Sequence, residues 1–489
     1  MGVRQRLRTA LFWFPAALDR LGVADREKAG EAFDLAIPVM VTGGLRVLLR
    51  VADFLMVGLA VGDAAIAGLE IGFQYYFIGF GLSLAVSSGT ISVVSRFQGA
   101  DEPGRANLAV KQSLWLALLI AVPLTVGAWL YAEPLVAVLS DDPDAVGFGA
   151  TYLSIVMLSM APRFWSMVAA RALAGSADTR TPMYVRLLTL PTNVVLNAVL
   201  IFGLGPFPRL EVAGAALGTT VSNAVAAVVF LGLLASGRYA VALPVRGRQV
   251  DLSILREIVR VGLPLSAMRL LQTVGRFPFL FILGVLGTPA LAAYAIGRRV
   301  MLLALMPAWG YSTAASTLVG QHIGSGDDDA ASEYGWQTLR IALATQLLIG
   351  AVLVLAARPI AAAFGTQHVD LTVQFIRVFG VVIAGFSVSR TMRGSLRGAG
   401  DTRWPLYGTV LGSFVVRLPI AALALPVGFA VPLLGLSVAP GRGLGMTAIF
   451  VAIVADFYVK AAVNTGRFWT GKWKAVAAAS SVGTGANDD

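Results

Sequence analysis

GSADTRTPMY at residues 175–184 returns as GAGDTRWPLY at residues 398–407, with six of ten positions identical at an offset of 223. A second set of matches lies at an offset of 225 and pairs Gly62 with Gly287, Ile71-Gly72 with Ile296-Gly297, Ser87 with Ser312, and Gly99 with Gly324. Two independent blocks at nearly one offset predict that the chain is built from two homologous halves.

The composition around these blocks is that of a membrane protein. Hydrophobic residues make up 57% of the 489 residues and charged residues 13%, whereas soluble domains contain roughly 25% charged residues. Apolar segments begin near residues 35, 70, 108, 149, 187, 211, 258, 294, 335, 370, 405 and 441. Since about 20 apolar residues cross a bilayer, we predict an all-α integral membrane protein with twelve transmembrane helices in two pseudo-symmetric six-helix bundles around a central cleft.

Six spans per half place both halves in the same membrane orientation, as in transporters with parallel repeats. An apolar run from Leu11 to Leu18 after three arginines favours an interfacial amphipathic helix. The predicted organisation is a basic cytoplasmic segment at 1–34, an N-lobe at 35–238, a cytoplasmic linker at 239–257, a C-lobe at 258–468 and a disordered cytoplasmic tail at 469–489.

The formal net charge of +11 follows the predicted topology. Lys and Arg concentrate at the ends, in the linker and in alternate loops, and such clusters face the cytoplasm. We therefore expect both termini in the cytoplasm of a multi-pass protein of the cell membrane. The basic excess is explained by topology, so we expect no nucleic-acid partner.

The chain lacks the residues that several classes of function require. The chain has no Cys and two His, His322 and His368, which excludes disulfides and disfavours a multi-His metal site. Phosphate-binding glycine loops, a nucleophile elbow and HExxH are absent. We predict no cofactor, no metal site and no enzymatic activity.

The duplicated block first has a local structural explanation. Gly ends a helix, Asp or Thr caps the next one, and Pro182 or Pro405 suits its first turn. A cytoplasmic turn anchored by arginines is therefore favoured over a binding role.

Three motifs together point to a known family. They are the paired GxxDTRxP blocks, Leu396-Arg397-Gly398 before the second block, and Pro38 followed by ADFLMVGL at 52–59. With these motifs the chain resembles the multidrug and toxic compound extrusion (MATE) family. The resemblance covers roughly residues 35–466 and is to the archaeal and DNA-damage-inducible-type subgroup. It implies a secondary active multidrug exporter that exchanges cytoplasmic organic molecules, commonly cationic or amphiphilic drugs, for protons or sodium by alternating access. We expect it to act as a monomer. The alternatives are a flippase for a lipid-linked or other anionic amphiphile and, less favoured, a membrane-embedded enzyme.

Asp53 is the acidic residue that the resemblance singles out. Members of this subgroup use an acid at this place as the cation acceptor, fifteen residues after a proline at which the helix bends, and Pro38 and Asp53 keep that spacing. A carboxyl group in a poorly hydrated cavity can take up and release a proton. Arg46, Arg50 and Asp53 share one helix face, so a permanently ionised salt bridge is the alternative.

The resemblance also implies an Asn and an Asp four apart on the fifth span, where this chain has Asn193 and Asn197. The pair can face one cavity, with Thr219 or Thr220 supplying a hydroxyl. Loss of a carboxylate favours protons over sodium as the coupling ion. Interhelical hydrogen bonding is the alternative role for the two amides.

The second half departs further from related sequences. Gln272 stands eight residues past Pro264, where many relatives have Glu, and it shares a helix face with Arg269 and Arg276. Arg417 lies inside the eleventh apolar run, and the possible counter-charges within apolar runs are Asp53, Glu70 and Asp456. Arginines lining a cleft would favour anionic amphiphiles, whereas internally paired or snorkelling arginines would leave substrate charge open.

Overall fold

The computed structural model describes residues 13–60, 63–138, 142–244, 246–247, 250–364, 366–429, 431–433 and 436–480. At 13, 46–55, 57–59, 63–67, 70, 74, 78, 288, 431–433, 436–438 and 480 the description is of the backbone alone.

The first half of the chain forms nine helices within the described residues. They are α1 (Trp13–Arg20), α2 (Arg26–Ala60), α3 (Asp63–Gly99), α4 (Pro103–Leu130), α5 (Ala132–Ala137), α6 (Pro143–Met157), α7 (Met160–Gly175), α8 (Arg180–Phe202) and α9 (Glu211–Ala235). The interfacial helix predicted near Leu11–Leu18 corresponds to α1. The first span begins at Arg26, nine residues before the predicted start of the N-lobe.

The second half repeats the pattern with one hairpin added. Its elements are α10 (Leu252–Val274), α11 (Arg276–Val285), α12 (Thr288–Ala304), α13 (Met306–Gly324), α14 (Asp328–Leu355), α15 (Ala357–Ala363), α16 (Val369–Gly398), α17 (Arg403–Val410), a π-helical segment (Leu411–Arg417), α18 (Leu418–Ala422), β1 (Val431–Leu433), β2 (Leu436–Val438), α19 (Gly445–Trp469) and α20 (Lys472–Ser480).

The number of spans agrees with the prediction. In the described part of the chain, nine helices or helix runs are long and apolar enough to cross a membrane, and the bent pairs α6–α7 and α12–α13 raise the number to eleven. Helix α2 has 35 residues and is about 50 Å long at 1.5 Å per residue, which is enough to cross a bilayer. Helix α2 is not among these eleven, but counting it by its length brings the number to twelve, in agreement with the predicted twelve-helix fold.

Two details add to the prediction or correct it. The all-α fold carries one short hairpin between the last two spans, in which β1 and β2 pair antiparallel with Val431 opposite Val438. The tail expected to be disordered continues as α20, because Trp473 is fully buried and stacks on Phe468 with ring centroids 5.0 Å apart. The Trp473 indole also donates to the Phe468 carbonyl at 2.9 Å. Residues after 480 lie outside the described part.

The chain separates into two compact units. Among the described residues, the first unit comprises Pro38–Ser266 and Gly320–Gly326, and the second comprises 13–37, Ala267–Val319 and 327–480. Two of the boundaries fall inside α2 at Pro38 and inside α10 two residues after Pro264, and two more enclose Gly320–Gly326 around the end of α13. The first two lie at or beside a helix-interior proline, a residue that removes one intrahelical hydrogen bond. The N-lobe and C-lobe boundaries drawn from the sequence remain predictions.

Close backbone contact between helices organises the first unit. A Cβ added to Gly68 would lie 2.5 Å from the Ala145 carbonyl oxygen, and one added to Gly89 would lie 2.2 Å from that of Ile258. The shortest approach joins the ends of α3 and α13, where a Cβ on Gly99 would lie 1.7 Å from the Gln321 carbonyl oxygen. Small residues at such crossings are the usual means of close helix packing in membranes.

The second unit uses the same kind of close helix contact around an aromatic core. A Cβ on Gly350 would lie 2.5 Å from the Gly380 carbonyl oxygen where α14 crosses α16. Phe375 is fully buried at the centre of the unit, 5.0 Å from the Phe450 ring and 5.8 Å from the Tyr294 ring in edge-on arrangements. Edge-on geometry is favoured by the ring quadrupoles.

The duplicated sequence blocks form the same backbone turn. The Asp178 amide donates to the Leu173 carbonyl at 2.9 Å, and the Asp401 amide donates to the Leu396 carbonyl at 2.8 Å. The preceding residue is left-handed in both copies, with φ of 65° at Ala177 and 79° at Gly400. This is a Schellman-type helix end, for which glycine is preferred. The side chains then differ: Asp178 accepts from the Thr181 amide, whereas buried Asp401 pairs with Arg467 at 2.6 Å.

Exchanging the residues of the two turns should shift stability in opposite directions. We expect Ala177→Gly to stabilise the protein by about 1 kcal/mol, because a left-handed conformation costs a non-glycine residue roughly that amount. Gly400→Ala should destabilise it by about 1–2 kcal/mol for the same reason. Thermal unfolding of the purified variants in detergent measures both changes. Equal shifts of one sign would contradict the assignment of these two turns.

Candidate functional site

Asp53, Arg46 and Arg50 all lie on α2, but their side chains are outside the described residues. Helical backbone runs from Pro38 to Asp53, so the two residues are about 22 Å apart along the helix axis. Pro38 is buried, and the Thr42 hydroxyl donates to the Pro38 carbonyl at 3.1 Å. The spacing and the helix are therefore present, while the pairing of Asp53 with either arginine stays a prediction.

Asn193 and Asn197 both contact α9 from α8. The Asn193 amide donates to the Thr219 hydroxyl at 3.5 Å. Asn197 is 1% exposed, and its Oδ1 would lie 2.0 Å from a Cβ on Gly218. The absence of a side chain at Gly218 is thus what lets the Asn197 amide approach the helix. Of the two threonines considered from the sequence, Thr219 faces the amide pair and Thr220 donates instead to the Ile155 carbonyl at 3.0 Å.

A buried tyrosine extends this polar region. Tyr76 on α3 is 4% exposed, and its hydroxyl accepts from Asn223 at 3.4 Å and from Ser159 at 3.3 Å. Asn223 lies one turn after Thr219 on α9, on the same face. The Arg163 guanidinium stands 5.5 Å from the Tyr76 ring centre. The sequence reasoning missed Tyr76 and Asn223, although the i, i+4 spacing of Thr219 and Asn223 repeats that of Asn193 and Asn197.

Among the described residues, the charged groups of the first-unit polar region are Arg163 and Arg186, which is within electrostatic range of Arg163 and Tyr76. The region's other donors and acceptors are amides and hydroxyls, groups that can hold a cation or a polar substrate without supplying negative charge. Within the described residues, no group of three His, Asp or Glu side chains could hold a metal ion. The Asp53 side chain lies outside the described residues, so a carboxylate in this region stays a prediction.

The charged residues of the second unit meet at Asp456 on α19, which is fully buried. One oxygen of its carboxylate is 2.6 Å from the Lys460 ammonium, and the other is 3.3 Å from the Arg417 guanidinium. The Ser413 hydroxyl donates to Asp456 at 3.3 Å and accepts from Lys460 at 2.8 Å. Asp456, Lys460, Arg417 and Ser413 are called the Asp456 cluster below.

The π-helical segment Leu411–Arg417 supplies two members of the Asp456 cluster. π-helical segments are rare in proteins as a whole, but those that occur are often found at functional sites. Here a Cβ on Gly412 would lie 2.9 Å from the backbone and side-chain oxygens of Asp456. The small residue permits the close approach, and Ser413 and Arg417 on the same segment then reach the carboxylate.

Arg417 also connects the Asp456 cluster to the seventh span. Its second terminal nitrogen donates to the Gly275 carbonyl at 2.9 Å, at the irregular residue that separates α10 from α11. Arg276 follows directly, and it is within electrostatic range of Arg417, Arg269 and Arg298. The structure therefore brings together Arg276 and Arg417, two of the predicted polar candidates. Gln272 is half-buried one helical turn before Arg276.

Sequence comparison supports a single family over most of the chain. The profile of the MatE family matches residues 38–199 and 264–423, one block in each half. The probable multidrug resistance protein NorM of Thermotoga maritima is 28% identical over 452 residues, covering 91% of this chain and 93% of that protein. A probable NorM of Bradyrhizobium diazoefficiens is 26% identical, covering 80% and 85% of the respective chains.

Solved structures show the same fold. A crystal structure of MATE in the bent conformation superposes with a TM-score of 0.83 at 21% identity, covering 93% of this chain and 98% of the other. A multidrug resistance MATE family transporter in the outward-facing conformation gives a TM-score of 0.80 at 22% identity, covering 92% and 96%. The likeness extends over both halves, and together with the matched blocks it shows that the chain belongs to the MatE family.

Proposed function

We propose that the protein is a secondary active exporter that antiports organic amphiphiles against protons by alternating access. The observation that carries the proposal is the family match in both halves, supported by relatives named as probable multidrug resistance proteins. The protein would act as a monomer in the cell membrane with both termini in the cytoplasm. Its partners would be small molecules and lipid, without a cofactor, a covalent reaction or a nucleic acid.

Asp53 is the proposed proton acceptor. An acid within an apolar run is expensive in the membrane, at about 2.5–3.5 kcal/mol even on the lenient insertion scale, which favours a functional reason for it. Asn193 and Asn197 would be its polar partners. Their neighbours Thr219 and Gly218 add a hydroxyl and space but no charge, so a single carboxyl that gains and loses a proton fits this region better than a multi-carboxylate sodium site.

Reconstitution in liposomes tests the proposal. With an imposed proton gradient, wild-type protein should move a fluorescent amphiphile against its concentration gradient, and Asp53→Asn should lower that rate at least tenfold because the amide cannot carry a proton. A sodium gradient in place of the proton gradient should drive little transport. Asp144→Asn is the matched control, because it removes an exposed acid in the first turn of α6.

Unchanged gradient-driven transport in Asp53→Asn would exclude Asp53 as the coupling residue. Arg50→Gln separates the salt-bridge alternative from coupling: if Asp53 were permanently ionised by Arg50, removing the arginine should create a new pH dependence of transport. If only a sodium gradient drove transport, the coupling ion would be sodium instead of the proton.

A further inference from the structure

The second unit contains an excess of cationic side chains in membrane-spanning helices. Arg276 is within electrostatic range of Arg298, Arg269 and Arg417. The series continues from Arg269 to Arg393 and from Arg393 to Lys460. These six groups are spread over α10, α11, α12, α16, the π-helical segment and α19.

Asp456 is the one carboxylate that pairs with any of the six in the described part of the chain. It pairs with Arg417 and Lys460, and the described residues provide no carboxylate partner for Arg269, Arg276, Arg298 or Arg393. In the part of the chain that the structure describes, these six cationic groups therefore have one carboxylate among them. Arginines within spans normally pair or face a watery cavity, and they mark substrate paths.

The hydrogen bonds and ion pairs of the Asp456 cluster hold Arg417 next to the arginines that have no carboxylate partner among the described residues. Asp456 accepts from Ser413, Lys460 and Arg417, so both of its oxygens are occupied. Arg417 is held additionally by the Gly275 carbonyl, and its Nε atom is buried without a hydrogen-bond partner in the described structure. Asp456 thus orients Arg417 beside Arg276 but cannot neutralise the remaining guanidinium groups.

The arginines that have no carboxylate partner among the described residues also lie well inside their spans. Arg276 lies nine residues before the end of its span at Val285, and Arg298 lies ten residues after Thr288 at the start of the next. At 1.5 Å per residue both lie about 14 Å inside those helix ends. The Phe279 ring is 5.1 Å from the Arg417 guanidinium, which places an apolar surface beside the charge.

We propose that Arg276, Arg298 and Arg417 bind the phosphate head of an anionic amphiphile. Guanidinium groups bind phosphate through paired, charge-assisted hydrogen bonds, and an anion supplies the charge that the described carboxylates do not. The inference rests on the proposed transport function and names its substrate class: organic phosphates with an apolar tail rather than cationic drugs.

Binding to the full-length protein in a neutral maltoside detergent tests the site directly. The probe is dodecyl phosphate, and dodecyltrimethylammonium has the same tail with a cationic head. We expect dodecyl phosphate to bind at least tenfold more tightly, and Arg276→Gln to weaken its binding about tenfold through loss of a charge-assisted contact. Arg299→Gln is the matched control, because Arg299 adjoins Arg298 on α12 but is not among the cations around Arg276. Equal affinity for the two heads, or equal effects of the two variants, would overturn the proposal.

Two sources of phosphate are distinguished by competition. If phosphatidylglycerol in nanodiscs displaces dodecyl phosphate, the ligand is a lipid head. If only soluble alkyl phosphates displace it, the ligand is a soluble substrate. Either result supports the site. The transport assay keeps the two proposals apart. Phosphate binding without gradient-driven transport would refute the exporter and support the anion site, and driven transport without phosphate binding would do the reverse.

Discussion

Asp456→Ala is expected to lower the free energy of unfolding by about 3–5 kcal/mol, the range for removing one partner of a buried ion pair. The carboxylate is fully buried and holds Lys460 at 2.6 Å and Arg417 at 3.3 Å. Without it, two cations remain in a low-dielectric interior and Ser413 loses an acceptor. The measurement is unfolding of the purified variants in detergent.

An exposed pair in the same unit provides the control for Asp456→Ala. Asp370 pairs with Arg358 at 3.3 Å, but the two side chains are 81% and 72% exposed. Because exposed ion pairs contribute roughly 0–1 kcal/mol, Asp370→Ala should change stability by less than about 1 kcal/mol. Asp456→Asn keeps an acceptor for Ser413 and serves if the alanine variant does not fold. Similar small effects at both sites would show that the Asp456 cluster is not a buried ion-pair network.

Gly99→Ala should destabilise the protein by about 2–3 kcal/mol, at the upper end for overpacking. Its Cβ would lie 1.7 Å from the Gln321 carbonyl oxygen, so α3 and the end of α13 must move apart before the methyl group fits. Gly324→Ala should have a similar effect, because its Cβ would lie 1.9 Å from the Arg96 carbonyl oxygen. Thermal unfolding and liposome transport of both variants measure the result.

Gly127→Ala is the matched control for Gly99→Ala. Gly127 is also in a membrane-spanning helix, but a Cβ there would meet nothing within 4 Å. Alanine should therefore be neutral or stabilise by about 0.5–1 kcal/mol through its better helix propensity. A loss of stability at Gly127 as large as that at Gly99 would mean that helix flexibility, rather than close packing, explains both glycines.

Features that depend on local sequence were predictable. The turns after Gly175 and Gly398 follow from Gly, Asp and Pro at fixed places, and the structure shows the same hydrogen bonds in both copies. The twelve spans follow from apolar length. The pairing of Asn193 with Thr219 was within reach as well, because polar residues in neighbouring apolar helices have few other partners.

The remaining features depend on contacts that a single sequence does not contain. Asp456 was a possible counter-charge, but its selection of Arg417 depends on the π-helical segment, whose register change has no local sequence signal. Lys460 was missed although it stands four residues after Asp456, a spacing that places the two on one helix face. Likewise, Asp178 and Asp401 occupy equivalent positions, but only Asp401 meets an arginine from a distant helix.

The contact between Gly99 and Gln321 has a consequence for the origin of the chain. Gly324 meets Arg96 in the same way, and both partners are 225 residues from their counterparts, so one contact is made twice with the roles exchanged. Self-complementary contacts of this kind are the mark of a two-fold symmetric dimer. An ancestral six-helix protein could thus have associated with its own copy through this glycine, and fusion of the two genes would have preserved the interface inside one polypeptide.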